Sequence, residues 1–445
     1  MPAMRAPWKA HEQLATELTG QRATTRASRR EFLLYMGPAL MVSLAYMDPG
    51  NYGTDIAAGA GFKFGLVWAV WLASGMAMLL QYLSGKLGIA SGHSLPEMVR
   101  KSLVRKGFVI PYWIAAEAAA AATDLAEYLG TVVALNILFG VPLLYAAIFG
   151  ALDVLLLMTM MTRRFHIIEQ FFMLFTSVLV VGILYQLVVI KPDLGQIAYH
   201  SVVPGALNTD ALLLVVGIIG ATVMPHALFV HSWLSKNKMD LMGKKVLDSK
   251  NKYDSSNASV EVRQRIRNIH LRETIVFLSI AGVVNAGILL VATPLYPSSN
   301  LTIAEAVQRL SGIFAPIVGT VFVLTLLASG LTSSTLGTIA GQVIMEGLIG
   351  KHWNIWARRI VTRGVNVFPT TIAILLGLDP LILLVYSQVI LSLMIPLPMI
   401  PLVYFTSKKK VMGDFVNRRR TIIVAVFTVV LIMAFNVYLL LTLRV

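Results

Sequence analysis

The sequence lacks cysteine altogether and carries few charged residues for its length. None of its 445 residues is cysteine. Asp, Glu, Lys and Arg together make up 13% of the chain, against about 25% in a typical soluble domain. The absence of cysteine excludes a disulfide-stabilised scaffold. The scarcity of charge excludes a soluble enzyme and a disordered chain, because both depend on charged groups that face water.

Long apolar segments dominate what remains of the chain. Hydrophobic residues make up 57% of the sequence, and its mean hydropathy is +0.74. A helix that crosses about 30 Å of hydrocarbon needs about 20 apolar residues. The segments that meet this requirement are 33–60, 65–90, 108–138, 140–161, 166–190, 211–234, 272–296, 313–345, 359–378, 380–406 and 421–443. We therefore predict an all-α polytopic membrane protein with eleven spans.

The distribution of basic residues predicts the orientation in the membrane. Thirty-three of the 37 Lys and Arg residues lie in the N-terminal tail (1–31) and in alternate inter-span loops, including the long loop 236–271. Such residues accumulate on the cytoplasmic side, so we expect a cytoplasmic N-terminus and an extracellular C-terminus. The same rule accounts for the net charge of +15 without a nucleic-acid partner, and the expected partner is the lipid bilayer.

Two of the predicted spans are broken near their middle. The first contains Asp-Pro-Gly-Asn at 48–51, and the sixth contains Thr-Val-Met-Pro-His at 222–226. Pro49, Gly50 and Pro225 are candidate hinges, because proline and glycine interrupt a helix. One proline kink is ordinary packing in a membrane helix. Two breaks that lie five spans apart indicate a five-span unit repeated once with inverted topology, which is typical of a transporter's central site.

The residues at the breaks favour a cation. The inner half of the first span ends near Ala45 and the outer half of the sixth ends near Ala221, so both direct partially negative helix ends to the midplane. Asp48 adds a carboxylate, and Asn51 adds an amide oxygen. Met224 adds a thioether, which favours a transition metal over sodium or magnesium. A methionine in an apolar helix is equally compatible with packing alone, so these residues leave the metal open.

At these positions the sequence resembles a known family. The motifs at 48–51 and 224–226 resemble the two hallmark motifs of the natural resistance-associated macrophage protein (Nramp) family of proton-coupled divalent metal transporters. The resemblance covers about residues 32–443 and includes Thr-Asp-Leu-Ala-Glu at 123–127 and Ser-Gln-Val at 387–389.

The resemblance implies a leucine-transporter-like fold. Two inverted five-helix repeats would occupy 32–190 and 211–406, and an eleventh transmembrane helix would occupy 421–443. The implied metal ligands are the side chains of Asp48, Asn51 and Met224, the carbonyls of Ala45 and Ala221, and in some states Gln388. Relatives that carry magnesium or aluminium depart from the pattern at the methionine, so Met224 favours Mn²⁺ and Fe²⁺, with Cd²⁺, Co²⁺ and Zn²⁺ as further candidates. We expect no resident cofactor and a functional monomer.

The third span carries three acidic residues. Glu117, Asp124 and Glu127 are separated by seven and ten positions, which places them within roughly 80° on one helix face, along about 15 Å. Acids inside a membrane are functional candidates by default. Arg358 and Arg359 begin the ninth span and are candidate partners. The alternative is a static salt-bridge ladder that only fixes helix packing.

The resemblance implies that these residues form a proton pathway separate from the metal site. In that pathway Asp48 and His226 take up the proton, Glu127, Asp124 and Arg359 relay it, and Glu117 with Arg358 lies near the cytoplasmic end. His226 and His231 lie about 140° apart on a helix, so they do not form the i, i+4 zinc pair of a membrane protease. His231 is either a second relay or a hydrogen-bonded polar group. Asn285 is a candidate to hydrogen-bond the unwound backbone and is grouped with the hinge.

The sequence thus predicts a proton-coupled importer of Mn²⁺ and Fe²⁺ that works by alternating access in the cytoplasmic membrane, and no catalytic residues. One alternative is a sodium-coupled amino-acid transporter of the same fold, but Asp48 would repel a substrate carboxylate that needs a positive helix N-terminus. The other is a membrane-embedded zinc hydrolase with Asp48 and His226 as ligands, which lacks the ligand spacing of such enzymes.

Overall fold

The computed structural model describes residues 37–103, 107–150, 165–205, 207–249, 255–298, 301–351 and 353–442. Within these ranges every regular element is helical and no strand occurs. The predicted tail 1–31, residues 151–161 of the predicted fourth span and Leu443 lie outside them. The all-α prediction is confirmed for the described chain.

The helices follow one another with short connections. The first nine are α1 (Pro38–Ala45), α2 (Pro49–Phe62), α3 (Val67–Ser91), α4 (Leu95–Leu103), α5 (Val109–Phe139), α6 (Leu143–Gly150), α7 (Phe165–Ile190), α8 (Leu194–His200) and α9 (Thr209–Val223). The next nine are α10 (Pro225–Ser249), α11 (Ser255–Ala292), α12 (Ile303–Ile313), α13 (Pro316–Ile349), α14 (Ile355–Leu375), α15 (Pro380–Met394), α16 (Pro396–Thr406), α17 (Lys409–Met412) and α18 (Arg419–Thr442).

Most of the predicted spans are long apolar helices in the structure. Seven described segments are long and apolar enough to cross a membrane, and they coincide with the predicted spans 2, 3, 6, 7, 8, 10 and 11. An eighth results if Leu174–Ile190 and Leu194–His200, which meet at 116°, form one bent span. The first predicted span is divided between α1 and α2, and the ninth, α14, carries three arginines. The protein is therefore a multi-pass membrane protein.

The predicted cytoplasmic loop 236–271 is mostly helical. Helix α10 continues to Ser249 and helix α11 already begins at Ser255, so both extend well beyond their apolar parts. The two helices place charged residues at the end of the bundle where the sequence predicts the cytoplasm.

The break in the first span follows from Pro49 and Asp48. Pro49 is the first residue of α2, where its missing N–H leaves no donor to continue the ladder from α1. Asp48 has extended backbone and caps α2, because its side chain accepts a hydrogen bond from the Asn51 N–H. The chain between Ala45 and Asp48 is therefore non-helical in the middle of the protein.

The break in the sixth span has the same cause with a different geometry. Helix α9 ends at Val223, and Pro225 begins α10. Met224 between them has φ +41°, an unusual value for a residue with a side chain. The Met224 N–H still donates to the Gly220 carbonyl at 3.4 Å, and the backbone turns after it.

Close helix packing holds the first break in place. Gly130 of α5 faces Pro49, and a Cβ atom at Gly130 would overlap with the Cβ and Cγ atoms of Pro49. Small residues at helix interfaces allow backbones in a membrane to approach closely. The hinge proline is thus seated directly against the helix that carries the acidic residues.

We expect Gly130→Ala to lower the free energy of unfolding by about 1–3 kcal/mol, because overpacking a close contact forces the neighbours apart. The matched control is Gly75→Ala in α3, where an added Cβ would meet no atom within 4 Å. The control should be neutral or slightly stabilising, since alanine favours helix by up to about 1 kcal/mol. Thermal unfolding of the purified proteins in detergent measures both, and equal unfolding temperatures would contradict the Gly130–Pro49 contact.

Candidate functional site

Asp48 lies at the first break with one oxygen in use and one without a partner. Its side chain is fully buried. Oδ1 accepts hydrogen bonds from the backbone N–H of Asn51 at 2.9 Å and from Asn51 Nδ2 at 2.7 Å. Oδ2 has no hydrogen-bond partner. A buried carboxylate oxygen without a partner is costly, so this atom is well suited to bind a cation.

Asn51 and Asn285 join the two breaks. Asn51 Nδ2 donates to the carbonyl of Ala221 at 3.3 Å and to that of Tyr46 at 3.1 Å. Asn285 Nδ2 donates to the same Tyr46 carbonyl at 2.9 Å and to Asn51 Oδ1 at 3.1 Å. The hydroxyl of Thr222 also donates to Asn51 Oδ1, at 3.3 Å. The predicted contact of Asn285 with the unwound backbone is therefore present in the structure.

The Tyr46 carbonyl accepts hydrogen bonds at the first break. The predicted carbonyl ligand of the first span belongs to Ala45, the last residue of α1, which is buried, and its role as a ligand stays a prediction. Tyr46 follows it and lies outside the helix, so its carbonyl has no partner in the helical ladder and accepts from the two asparagines.

Gln388 and Met224 are also buried around the breaks. The Gln388 side chain lies over Gly50, because a Cβ atom at Gly50 would overlap with its amide and would lie 2.9 Å from Asp48 Oδ2. Gln388 Oε1 has no hydrogen-bond partner. Met224 is fully buried and belongs to the same apolar cluster as Met47. The breaks thus bring together carboxylate, amide and carbonyl oxygens with a buried thioether nearby.

His226 connects the second break to the third span. Its Nδ1 lies 3.0 Å from the hydroxyl of Thr123, and that hydroxyl donates to the Ala119 carbonyl at 3.2 Å. His226 and Thr123 are therefore joined by a hydrogen bond between the second break and α5. Nε2 is buried and has no hydrogen-bond partner. The sequence places His226 beside Asp48, and the described contact is with Thr123 on α5.

The three acids of the third span lie along α5 as predicted. Glu117 Oε2 forms an ion pair with Arg358 at 2.5 Å and Oε1 accepts from the Trp113 indole at 3.1 Å. Asp124 and Glu127 are both buried deeper in the protein. Arg359 belongs to α14, and its side chain lies outside the described part of the structure.

Glycines on α13 make room for these charged groups. A Cβ atom at Gly337 would lie 2.8 Å from Glu127 Oε2, and one at Gly341 would overlap with the guanidinium of Arg358. A small cavity between α5, α13 and α14 is lined by Glu117, Asp124, Gly337, Gly341 and Arg358, among others. Glu117 and Asp124 therefore face a common cavity, and Glu127 faces Gly337 of α13.

Arg363 was missed as a candidate site residue. Its Nη1 lies 3.7 Å from Asp124 Oδ1, and its guanidinium lies over the Tyr128 ring, 5.1 Å from the centroid. The side chain is buried, and its Nη2 also donates to the Ser334 hydroxyl at 3.2 Å. The available signal was its position four residues inside the predicted ninth span, since an arginine inside a span is itself a functional candidate.

His231 is part of a second polar chain. Its Nδ1 lies 2.8 Å from Gln81 Oε1, and Gln81 Nε2 donates to the Tyr46 hydroxyl at 2.7 Å. The ring also packs edge-on against His270, with centroids 4.9 Å apart. His231 is therefore a hydrogen-bonded polar group, and a relay role stays a prediction.

Among the described residues, no three His, Cys, Asp or Glu side chains are grouped closely enough to hold a metal ion. A zinc centre of the hydrolase type would need such a group. The breaks offer a different kind of site, which combines one carboxylate with amides, carbonyls and a thioether.

The chain matches known proteins over nearly its whole length. The profile described as "Natural resistance-associated macrophage protein-like" matches residues 39–442. The chain is 37% identical over 415 residues to the "Divalent metal cation transporter MntH" of Deinococcus radiodurans, covering 92% of this chain and 90% of that protein. It is 35% identical over 413 residues to the protein of the same name from Bacillus subtilis, covering 92% of each.

Solved structures give the same result for the fold. The crystal structure of an Eremococcus coleocola manganese transporter aligns with a TM-score of 0.80 at 30% identity, covering 94% of this chain and 88% of that one. A nucleobase-cation-symport-1 family transporter, Mhp1, aligns with a TM-score of 0.55 at 15% identity, covering 92% and 91%. The match to Mhp1 shows only that the two chains share a fold.

The broken spans and the fold define a membrane transporter with a leucine-transporter-like fold, as the sequence predicts. The prediction that the chain is not an enzyme is confirmed, because its relatives are named as transporters. The chain belongs to the Nramp family.

We expect Arg363→Met to lower the free energy of unfolding by about 3–5 kcal/mol, since removing one partner of a buried ion pair is strongly destabilising. The double variant Arg363→Met with Asp124→Asn should recover part of that loss, with a coupling of about 0.5–3 kcal/mol. Arg309→Met, at an exposed arginine, should stay within about 0.5 kcal/mol of the parent. Thermal unfolding in detergent measures these three variants and the single variant Asp124→Asn, and strictly additive effects of Arg363→Met and Asp124→Asn would mean that the pair contributes nothing.

Proposed function

We propose that the protein is a proton-coupled importer of divalent transition metals, Mn²⁺ and Fe²⁺, that works by alternating access across the cytoplasmic membrane. The observation that carries this proposal is the buried Asp48 Oδ2, which lies without a partner at a break that faces a second break. The names of the relatives, a divalent metal cation transporter and a manganese transporter, support the same cargo. Cd²⁺, Co²⁺ and Zn²⁺ are further cargo ions under this proposal.

The proposed ligands are the side chains of Asp48, Asn51 and Met224, the carbonyls of Ala45 and Ala221, and Gln388 in some states. Asn51 Oδ1 now accepts from Asn285 and Thr222, and Asn51 Nδ2 bonds the backbone of both breaks. A bound cation would take over these oxygen lone pairs. Carboxylate, carbonyl and amide oxygens suit Mn²⁺ and Fe²⁺, and a thioether adds attraction for them that Mg²⁺ and Ca²⁺ do not share.

Helix polarity distinguishes this cargo from an amino acid. Both α1 and α9 have their C-terminal ends at the breaks, so the partial charge directed at the midplane from these two helices is negative. The positive N-terminal ends of α2 and α10 lie at the same breaks, but the end of α2 is already capped by Asp48. The buried Asp48 carboxylate would repel a substrate carboxylate, and it therefore favours a metal cation over the substrate of a sodium-coupled amino-acid transporter.

We place the proton pathway along α5. Asp48 and His226 would take up the proton, Glu127, Asp124 and Arg359 would relay it, and Glu117 with Arg358 would pass it to the cytoplasm. The His226–Thr123 contact supports this route, because it joins the break to the helix that carries the three acids.

The N-terminus would be cytoplasmic and the C-terminus extracellular. A negative-inside potential would then assist import by about 2.3 kcal/mol per charge per 100 mV. The functional unit would be a monomer.

We expect Mn²⁺ uptake into proteoliposomes to be abolished by Asp48→Ala, because the charged ligand is lost. Met224→Ala should lose its preference for Mn²⁺ and admit Ca²⁺ or Mg²⁺, because the remaining donors are hard oxygens. The matched controls are Asp210→Ala and Met433→Ala, at exposed positions, which should transport as the parent does. Unchanged Mn²⁺ uptake by Asp48→Ala would place the metal site elsewhere, and competition by amino acids would favour the alternative transporter.

We expect Mn²⁺ uptake to rise with an inward proton gradient and to acidify the vesicle interior, as reported by a trapped pH-sensitive dye. Glu127→Gln should remove most of the acidification, because the relay then lacks a titratable group in mid-membrane. Glu305→Gln, at an exposed acid, should leave it unchanged. Metal uptake by the parent without acidification would exclude proton coupling and leave metal transport standing.

A further inference from the structure

Glu273 of α11 binds the N-terminus of the inner half-helix α1. Its side chain is fully buried. A single oxygen, Oε1, accepts from the N–H groups of Gly37 at 2.6 Å, Ala39 at 3.1 Å and Leu40 at 3.3 Å. These are donors that the first turn of a helix cannot satisfy by itself. Because Pro38 has no N–H, the carboxylate binds every donor in this stretch.

Helix α1 has no cap of its own. Gly37 stands at its N-cap position and offers no side chain. Elsewhere in the described chain, a helix end is commonly capped by the neighbouring residue, as when Asp193 accepts from Gly195 and Gln196 at the start of α8. The cap of α1 instead comes from a residue more than 230 positions away. The Glu273 cap therefore satisfies the first turn of α1 and also connects α1 to α11.

The same helix α11 also binds the other end of α1. Asn285 Nδ2 donates to the carbonyl of Tyr46, the first residue after α1. Glu273 and Asn285 are twelve residues apart, or about 18 Å along a helix, which matches the eight residues of α1 and its two flanking turns. A carboxylate at the N-terminus and an amide donor at the C-terminus are the groups that each helix end attracts.

A lysine side chain lies near this contact. Lys238 of α10 lies close enough to interact electrostatically with Glu273. Bonds from backbone N–H groups to a carboxylate are stronger than those to a neutral acceptor. All three hydrogen bonds end on the same oxygen of Glu273. If α1 moved away, the three N–H groups and the carboxylate would lose their partners together, so we expect the contact to be either fully made or fully broken.

We propose that Glu273 is a positioning residue that latches α1 in the closed position and sets how often the inner half of the first span opens to the cytoplasm. The inference rests on the proposed function, alternating access, and takes α1 as the segment that leaves its place to release the metal inwards. Asn285 holds α1 at the metal site itself. Glu273 holds it at the far end, without touching the cargo or the residues of the proposed proton pathway.

The absence of cysteine provides a direct test. Ser43 of α1 is only 3% exposed, so Ser43→Cys introduces a single thiol that is shielded while α1 is in place. In proteoliposomes we would measure its rate of reaction with a membrane-permeant maleimide. On this background, Glu273→Ala should react about tenfold faster or more, and Glu273→Gln, which keeps an acceptor oxygen without the charge, should lie between. Asp193→Asn, a loss of charge at another helix cap, should react at the parent rate.

The measurement separates a latch from a merely structural contact. Only the monodisperse, folded fraction of each variant would be labelled, so a contact that only stabilises the fold would lower the yield and leave the labelling rate unchanged. That outcome, or equal rates for Glu273→Ala and the parent, would overturn the proposal. Labelling does not require transport. If the parent carries no Mn²⁺, the proposed function fails while the labelling rates still decide whether Glu273 holds α1 closed.

Discussion

The requirement that every backbone polar group in a membrane find a partner inside the protein governs this structure. Both central spans stop being helical in mid-membrane, so their free carbonyls must be satisfied by side chains. Asn51 and Asn285 do most of this by donating to the carbonyls of Tyr46 and Ala221. These bonds stabilise the breaks in the absence of cargo, and they also gather oxygen atoms of the kind that a divalent cation binds. The groups that stabilise the two breaks are therefore also the groups that offer oxygen atoms to a cation.

A second constraint is that buried charge must be paired and given space. The acids of α5 meet arginines of α14, with Glu117 beside Arg358 and Asp124 beside Arg363. Gly337 and Gly341 of α13 leave room for Glu127 and for the Arg358 guanidinium. Pairing at this depth offsets part of the cost of burying each charge.

Much of the fold could be read from the sequence, because membrane spans have a simple signature of length and hydropathy. Both breaks were located from Pro49 and Pro225, since proline acts through its own covalent geometry. The Tyr46 carbonyl was not singled out at the first break, because the asparagines that donate to it lie on other helices or beyond the break. Arg363 was counted with the loop charges, since spacing within α14 does not reveal which helix it faces. Glu273 was invisible as a helix cap for the same reason: its partners are more than 230 residues away.

Asp48 divides its two oxygens between two tasks. Oδ1 caps α2 by accepting from Asn51, and Oδ2 is left without a partner. A cation bound through Oδ2 could therefore arrive and depart while the first turn of α2 stays intact. In alternating access, the empty transporter must change back to its outward-open conformation after it releases each ion. If α2 lost its first turn at each release, that change would be slower. Under the proposed function, Asp48 would release its cargo through Oδ2 while Oδ1 still caps α2.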